Sequence, residues 1–155
     1  MVYAGIGNRT ISEATFDWLE QVGMFLADKG WLLRSGNAAG SDAAFQCGSR
    51  GKFLSFVAED ATPEAIQIAS QYHSAWDRCN DSSKKLHGRN VMILFGDKLD
   101  FPVKFVICYA KDENEGGTAL GIRIARAYNI PVFNMFNGKD YNAFTMFISQ
   151  FGAAA

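Results

Sequence analysis

No apolar run in the 155 residues approaches the roughly 18–20 that a membrane helix needs. The opening, Met1 to Gly7, has no basic stretch followed by an apolar one, so no signal peptide is expected. An excess of one charge is missing too: 15 Lys and Arg face 16 Asp and Glu, for a net charge of −1. That balance argues against a protein that coats nucleic acid by bulk charge and leaves room only for a local basic patch. Cysteine is scarce, and Cys47, Cys79 and Cys108 are odd in number and far apart. They read as reduced core thiols of a cytoplasmic protein, not as a disulfide framework or a zinc site, so no metal ligands are assigned. The two standard nucleotide fingerprints are absent as well. Gly5-x-Gly7 is followed by Thr10 where G-x-G-x-x-G needs glycine, and no G-x-x-x-x-G-K-[ST] occurs. An ordinary dinucleotide or ATP enzyme is therefore disfavoured, and no cofactor is expected.

What is present is a packable chain. Apolar residues make up 48% and charged residues 20%, which excludes disorder, and 13 Phe supply a heavily packed core. The length suits one domain, taken as residues 1–152, with Ala153-Ala154-Ala155 as a tail.

Short apolar runs alternate with helical patterns. Val2-Tyr3-Ala4, Trp31 to Arg34, Phe53 to Val57, Val103 to Tyr109 and Pro131 to Asn134 read as strands. Thr10 and Glu13 have capping-box spacing ahead of a helix carrying Trp18, Leu19, Val22, Phe25 and Leu26, which Lys29-Gly30 stops. Further helices are predicted over Ser41 to Cys47, Pro63 to Tyr72, Lys84 to Phe95, Gly117 to Tyr128 and Tyr141 to Phe151, and Ser74 to Ser83 reads as a loop with a helical turn. Alternation of this kind predicts a single Rossmann-like three-layer α/β/α domain with a mainly parallel sheet of about five or more strands. Ligands of such sheets bind outside the carboxyl ends of the strands, so those ends carry the functional argument.

Three strand ends carry glycine turns: Gly5-Ile6-Gly7-Asn8-Arg9, Ser35-Gly36-Asn37-Ala38-Ala39-Gly40-Ser41-Asp42, and Gly116-Gly117-Thr118 at a helix start. Glycine lets backbone N–H groups approach an anion, and a helix N-terminus adds partial positive charge. One such turn is ordinary. Three on one sheet edge read as a phosphate-binding constellation.

These segments resemble the SLOG superfamily, named for the Smf/DprA DNA-processing proteins and the LOG nucleotide hydrolases. Gly5 to Arg9 resembles its G-S-R turn, and Ser35 to Asp42 its S-G-G-A-x-G-x-D turn. Arg89-Asn90 with the following apolar stretch resembles R-N-R-x-I of the DprA branch, and Gly116 to Ala119 with Ile130 to Phe133 the closing turn, helix and strand. The likeness spans about residues 2–136. Small stand-alone members of bacteriophages and prophages are more similar still, in Tyr3 to Arg9, His73-x-x-Trp76 and Leu86-x-x-Arg89-Asn90. The resemblance implies a cytoplasmic protein, in the host cytoplasm if phage-encoded, and a homodimer or higher homo-oligomer. It also implies that the helix of Arg89 and Asn90 lies over the pocket.

Each candidate has a plainer alternative. Arg9 is read as a phosphate partner rather than a solvated side chain. Asp42 bonds a ribose hydroxyl or caps the glycine loop, Ser35 donates to phosphate or bonds within its turn, and Arg34 is structural. Arg89, Asn90 and Thr118 are read as ligand contacts. His73 is a pocket acid or base or a packed loop residue, Trp76 stacks on a base or is buried, and His87 is given no role. Glu59-Asp60 is a candidate carboxylate pair, with a charged turn before Pro63 as its stronger alternative, and Cys47 reads as a buried thiol.

The ligand-binding set is thus Gly5, Gly7, Asn8, Arg9, Ser35, Gly36, Asn37, Gly40, Asp42, Arg89, Asn90, Gly116, Gly117 and Thr118, and the catalytic candidates are His73, Arg89 and Glu59. The leading expectation is binding of a nucleotide or nucleotide-derived small molecule. One alternative is a LOG-like nucleoside-monophosphate N-glycosidase, although Gly121 stands where the LOG motif has its glutamate. The other is a DprA-like mediator of recombination that binds single-stranded DNA through a basic stripe of Arg78, Lys84, Lys85 and Arg89.

Overall fold

A computed structural model describes residues 1–151; the tail at 153–155 lies outside the described residues. Five strands, β1 (Val2–Gly7), β2 (Leu32–Ser35), β3 (Phe53–Ser55), β4 (Val106–Tyr109) and β5 (Val132–Asn134), form one sheet in the order β3-β2-β1-β4-β5. Every pairing is parallel, with Ala4 opposite both Arg34 and Val106. The crossovers contain α1 (Glu13–Asp28), α2 (Ser41–Gly48), α3 (Pro63–Ser70), α4 (Asp81–Phe95) and α5 (Gly117–Ala127), and α6 (Gly138–Ser149) closes the fold. This is the three-layer α/β/α arrangement predicted from the alternation of elements.

A parallel sheet is buried on both faces, so its central strands have no polar side to present. Residues 106–108 of β4, Val-Ile-Cys, are fully enclosed. Val106 and Cys108 join Ala4, Ile6, Val91, Leu94 and Ile124 in the core beneath α3, α4 and α5. Ile107 points the other way, into the core shared by Leu19, Trp31, Phe45, Phe105, Phe133 and Phe144 under α1, α2 and α6.

Several boundaries move for local reasons. Ser12, not Thr10, caps α1: its Oγ accepts from the Thr15 N–H at 3.1 Å, and the helix starts at the next residue. Strand β4 begins at Val106 rather than Val103, because the Val103 N–H turns back to the Leu94 carbonyl at the end of α4. The stretch Ser74 to Ser83 contains a short 3-10 turn over Trp76–Arg78 and then the start of α4, which Asn80 caps through the Ser83 N–H at 2.8 Å. Asn137 caps α6 at the Lys139 N–H, so that helix starts before Tyr141. Cys108 is buried, but Cys47 is exposed on α2, contrary to its reading as a core thiol. As expected, Arg34 is structural: it donates to the Phe101 carbonyl at 2.7 Å and packs against that ring. No helix among the described residues is long and apolar enough to cross a membrane.

Candidate functional site

In the order β3-β2-β1-β4-β5 the chain direction of winding reverses between β1 and β4, and a crevice opens at their carboxyl ends. A cleft of about 450 Å³ occupies it. The turn after β1 contributes Gly7, Asn8 and Arg9, the β2–α2 segment Ala38 and Asp42, the start of α5 Glu115 to Thr118, and α4 Ser83, Leu86, His87, Arg89 and Asn90. His73 reaches in from the loop after α3.

Local hydrogen bonds hold these segments in register. The Asn8 N–H donates to the Tyr109 carbonyl at 2.8 Å, and Asn8 Oδ1 accepts from the Lys111 N–H at 3.0 Å, tying the β1 turn to the end of β4. Ser41 Oγ donates to the Asn8 carbonyl at 2.9 Å and locks the same turn to α2. Gly40, at φ +76°, allows this approach, since a Cβ there would strike the Arg9 carbonyl. The Asp42 carboxylate accepts from the Gly36 N–H at 3.0 Å and the Ala38 N–H at 3.4 Å.

Arg89 is buried and binds inward. Its Nη1 donates to the Gly36 carbonyl at 2.5 Å and the Phe56 carbonyl at 3.2 Å, and its Nε donates to Asn90 Oδ1 at 2.9 Å. Asn90 Nδ2 donates in turn to the Gly117 carbonyl at 3.3 Å. One arginine therefore joins the ends of β2 and β3 to α4, while its charge stays at the cleft wall. Arg9 differs: it is exposed, and it makes no side-chain hydrogen bond or ion pair among the described residues.

Burial and charge set the protonation states. Desolvation raises the Asp42 carboxyl from 3.8 to about 6, against the opposing pull of Arg89, the two backbone N–H donors and Arg9. Burial, with His73 and Arg89 nearby, pushes His87 down to about 4, so its imidazole is neutral at pH 7. Burial lowers Arg89 while Asp42 opposes the shift, and the guanidinium remains a cation.

Of the candidates named from sequence, Gly7, Asn8, Arg9, Asp42, His73, Arg89, Asn90, Gly116, Gly117 and Thr118 come together in this cleft. Gly5, Ser35, Gly36, Asn37 and Gly40 lie outside its lining: the first three are buried, Gly40 is half-buried and Asn37 is exposed. Ser35 is fully buried, and its Oγ accepts from Gln46 Nε2 at 2.6 Å, which makes it a structural residue and not a phosphate donor. Gly5 packs against Leu33 and Phe45 inside the sheet. Glu59 is exposed outside the cleft lining, and Asp60 accepts from the Val57 N–H at 2.8 Å, so the carboxylate pair is a charged turn. Gly121, at the LOG glutamate position, faces Ile6, leaving Asp42 and Glu115 as the carboxylates of the cleft. The basic stripe breaks up, because Arg89 is buried while Arg78 and Lys85 are exposed and Lys84 lies over the Trp76 ring at 5.5 Å.

Three residues escaped sequence reading. His87 lines the cleft, and its signal was present: Ser83, Leu86, His87 and Asn90 follow the i, i+3, i+4, i+7 stripe of one helix face. Glu115 stands before the α5 glycines with nothing in its type to mark it. Asn134, at the end of β5, is buried and holds the loop leading to α5. Its Oδ1 accepts from the Ala110 N–H at 3.0 Å, and its Nδ2 donates to the Ala110 carbonyl and to Glu113, each at 2.8 Å.

No family model matches the chain, and no curated protein matches it in sequence. Among solved structures, the chain is similar to DNA processing protein A from Helicobacter pylori, described for a unique mode of binding single-stranded DNA. The TM-score is 0.61 at 20% identity, and the match covers 86% of this chain but only 64% of that one, so the likeness is one of fold.

Proposed function

We propose that the protein binds single-stranded DNA, with one nucleotide and its phosphate seated in the β1–β4 cleft. The observation that carries this reading is the convergence of an unpartnered Arg9, the buried Arg89 and the glycine-led start of α5 on one crevice, in a fold shared with a single-strand-binding protein. A phosphate there meets a guanidinium able to pair bidentately and a helix N-terminus with free N–H groups. Trp76, whose half-buried ring packs against the cleft-lining His73 and His87, is offered as the ring on which a neighbouring base stacks once Lys84 moves off it. With a net charge of −1, few phosphates are engaged at once.

Fluorescence anisotropy with a labelled oligothymidine, titrated at several salt concentrations, tests the reading. Binding should weaken with salt, with a slope of about 0.7 per phosphate contacted. Absence of binding at low salt would remove the proposal.

A second reading, capture of a free nucleotide or nucleotide derivative, is favoured by the cleft volume of about 450 Å³, which suits a small-molecule site. It predicts that a mononucleotide raises the melting temperature and that the oligonucleotide adds nothing further. A nucleotide N-glycosidase would have to draw its carboxylate from Asp42 or Glu115, and release of free base from a nucleoside monophosphate is its readout. Self-association, the remaining expectation, is supported by an apolar groove between α1 and α6 lined by Trp18, Val22, Phe25, Tyr141, Phe144 and Ile148, and is tested by sedimentation equilibrium.

A further inference from the structure

His73, Cys79 and His87 come from three separate segments: the loop after α3, the residue that closes the 3-10 turn, and the second turn of α4. One ligand atom from each lies within 4.8 Å of the others. Cys79 Sγ is 3.6 Å from His73 Nε2. A tetrahedral zinc ion with bonds of about 2.3 Å to sulfur and about 2.0–2.1 Å to nitrogen has a sulfur–nitrogen edge of about 3.6 Å. That edge is already built. The two imidazoles meet edge to face with centroids 4.7 Å apart. Nδ1 of His87 is buried and has no hydrogen-bond partner among the described residues, which is costly for a polar atom unless something binds it.

We propose that His73, Cys79 and His87 form a binding site for a thiophilic divalent ion of the zinc type, on the wall of the cleft. The donor set selects the metal. Two imidazoles and a thiolate suit zinc and its neighbours, whereas magnesium and calcium take oxygen ligands, and no carboxylate belongs to the cluster. Three protein ligands leave a fourth position open, as at sites where zinc holds water or a substrate oxygen. His73 and His87 both line the cleft, so the site stands beside the space proposed for a phosphate. The sequence gives little warning of this, since the three residues stand 6 and 8 positions apart with no zinc-motif spacing.

Loading requires a small rearrangement. His73 Nδ1 accepts from the Ala75 N–H at 2.9 Å, so in the neutral ring Nε2 carries the proton, next to Cys79 Sγ. For Nε2 to ligate, that proton transfers to Nδ1 and the Ala75 N–H turns away. The Cys79 thiol, which also approaches the Ala75 carbonyl at 3.8 Å, gives up its proton to solvent. Each ion bound therefore releases a single proton, from sulfur.

Cobalt(II) titration of the full chain, freed of metal by chelator, tests the site, and zinc affinity follows from competition with a chromophoric chelator. One equivalent of cobalt should give a thiolate-to-cobalt charge-transfer band and the intense visible bands of a tetrahedral ion. Cys79→Ser should abolish the charge-transfer band. His73→Gln and His87→Gln should each weaken zinc binding by roughly 100-fold or more, since losing even an outer partner of a ligand costs about 10–100-fold. Cys47→Ser, which removes an exposed thiol on α2, should leave the spectrum unchanged. No charge-transfer band in the parent chain, a band that survives Cys79→Ser, or one lost with Cys47→Ser would overturn the proposal. Circular dichroism confirms that each variant is folded, and the two histidine variants decide the matter if Cys79→Ser is not. Every readout is independent of DNA, so the site stands or falls separately from the strand-binding reading.

Discussion

Arg89 Nη1 donates to the Gly36 carbonyl at 2.5 Å, and Gly36 has no side chain because none would fit: a Cβ there would lie 2.7 Å from that same nitrogen and 2.8 Å from Asp42 Oδ2. The glycine is thus the spacer between a buried cation and a buried carboxylate. Gly36→Ala should push Arg89 and Asp42 apart and destabilise the fold by about 1–3 kcal/mol, the usual cost of overpacking. Urea unfolding measures this. A variant as stable as the parent would show that the cleft wall yields freely.

Removing the arginine acts differently. Arg89→Ala strands the Gly36 and Phe56 carbonyls in a buried setting, where each lost partner costs about 1–3 kcal/mol. Stability and oligonucleotide affinity should therefore fall together. Arg89→Lys keeps a charge but loses the forked geometry that reaches both carbonyls and Asn90, so it should recover only part of the stability. Full recovery by lysine would reduce the role of Arg89 to its charge.

Arg9 should separate binding from folding. It is exposed and bonds to nothing among the described residues, so Arg9→Ala should change stability by no more than about 0.5 kcal/mol. If its guanidinium pairs with a phosphate, the same substitution should weaken oligothymidine binding and reduce the salt slope by about 0.7. Unchanged affinity would place the strand elsewhere on the surface.

The contrast between these two arginines shows where sequence reading works and where it stops. Both follow recognisable motifs, and both reach the cleft. Their division of labour depends on Gly36, 53 positions away from Arg89, whose carbonyl comes within reach only once β2 and α4 are packed. Glycine turns and alternating elements are local signals, so the α/β/α layering and the loops at the strand ends were legible. The burial of Ser35 behind α2, the exposure of Glu59 and the meeting of His73 with His87 are products of tertiary packing, which no local pattern encodes. Thr10 and Ser12 illustrate the limit of local reading too: both are good caps, and the Thr15 N–H falls within reach of Ser12.

Asn134 offers a test of how the loop before α5 is held. Its side chain bonds both polar groups of Ala110 and one oxygen of Glu113, whose other oxygen accepts from Arg126 at 2.8 Å. The Asn134 hydrogen bond, ahead of the Arg126 interaction, draws the Glu113 carboxyl below its ordinary range. Asn134→Ala should cost about 2–4 kcal/mol by stranding buried backbone groups. It should also speed amide hydrogen exchange from Ala110 to Gly117. Slow exchange preserved across that loop would mean that the glycine turn is held from elsewhere.

Asp42 makes stability and binding depend on pH in a single direction. Its folded value of about 6 lies above the ordinary 3.8, so the folded state holds a proton that the unfolded chain has released. The stability tied to that proton is fully present below about pH 4 and is lost as pH rises through about 6. The shift corresponds to at most about 3 kcal/mol. Arg89 and Arg9, the cations acting on this carboxylate, stay charged throughout. Parent stability relative to Asp42→Asn should therefore decline between about pH 4 and pH 7. Oligothymidine is the right ligand for the companion measurement, because its phosphodiesters do not titrate in that range. As Asp42 becomes neutral, a negative charge leaves the wall facing the phosphate, and affinity should rise as pH falls from 7 toward 5. In Asp42→Asn any part of that rise due to Asp42 disappears, and whatever rise persists comes from other groups. Identical pH profiles in the parent and the variant would show that the carboxylate is already neutral at pH 7 or does not face the bound strand.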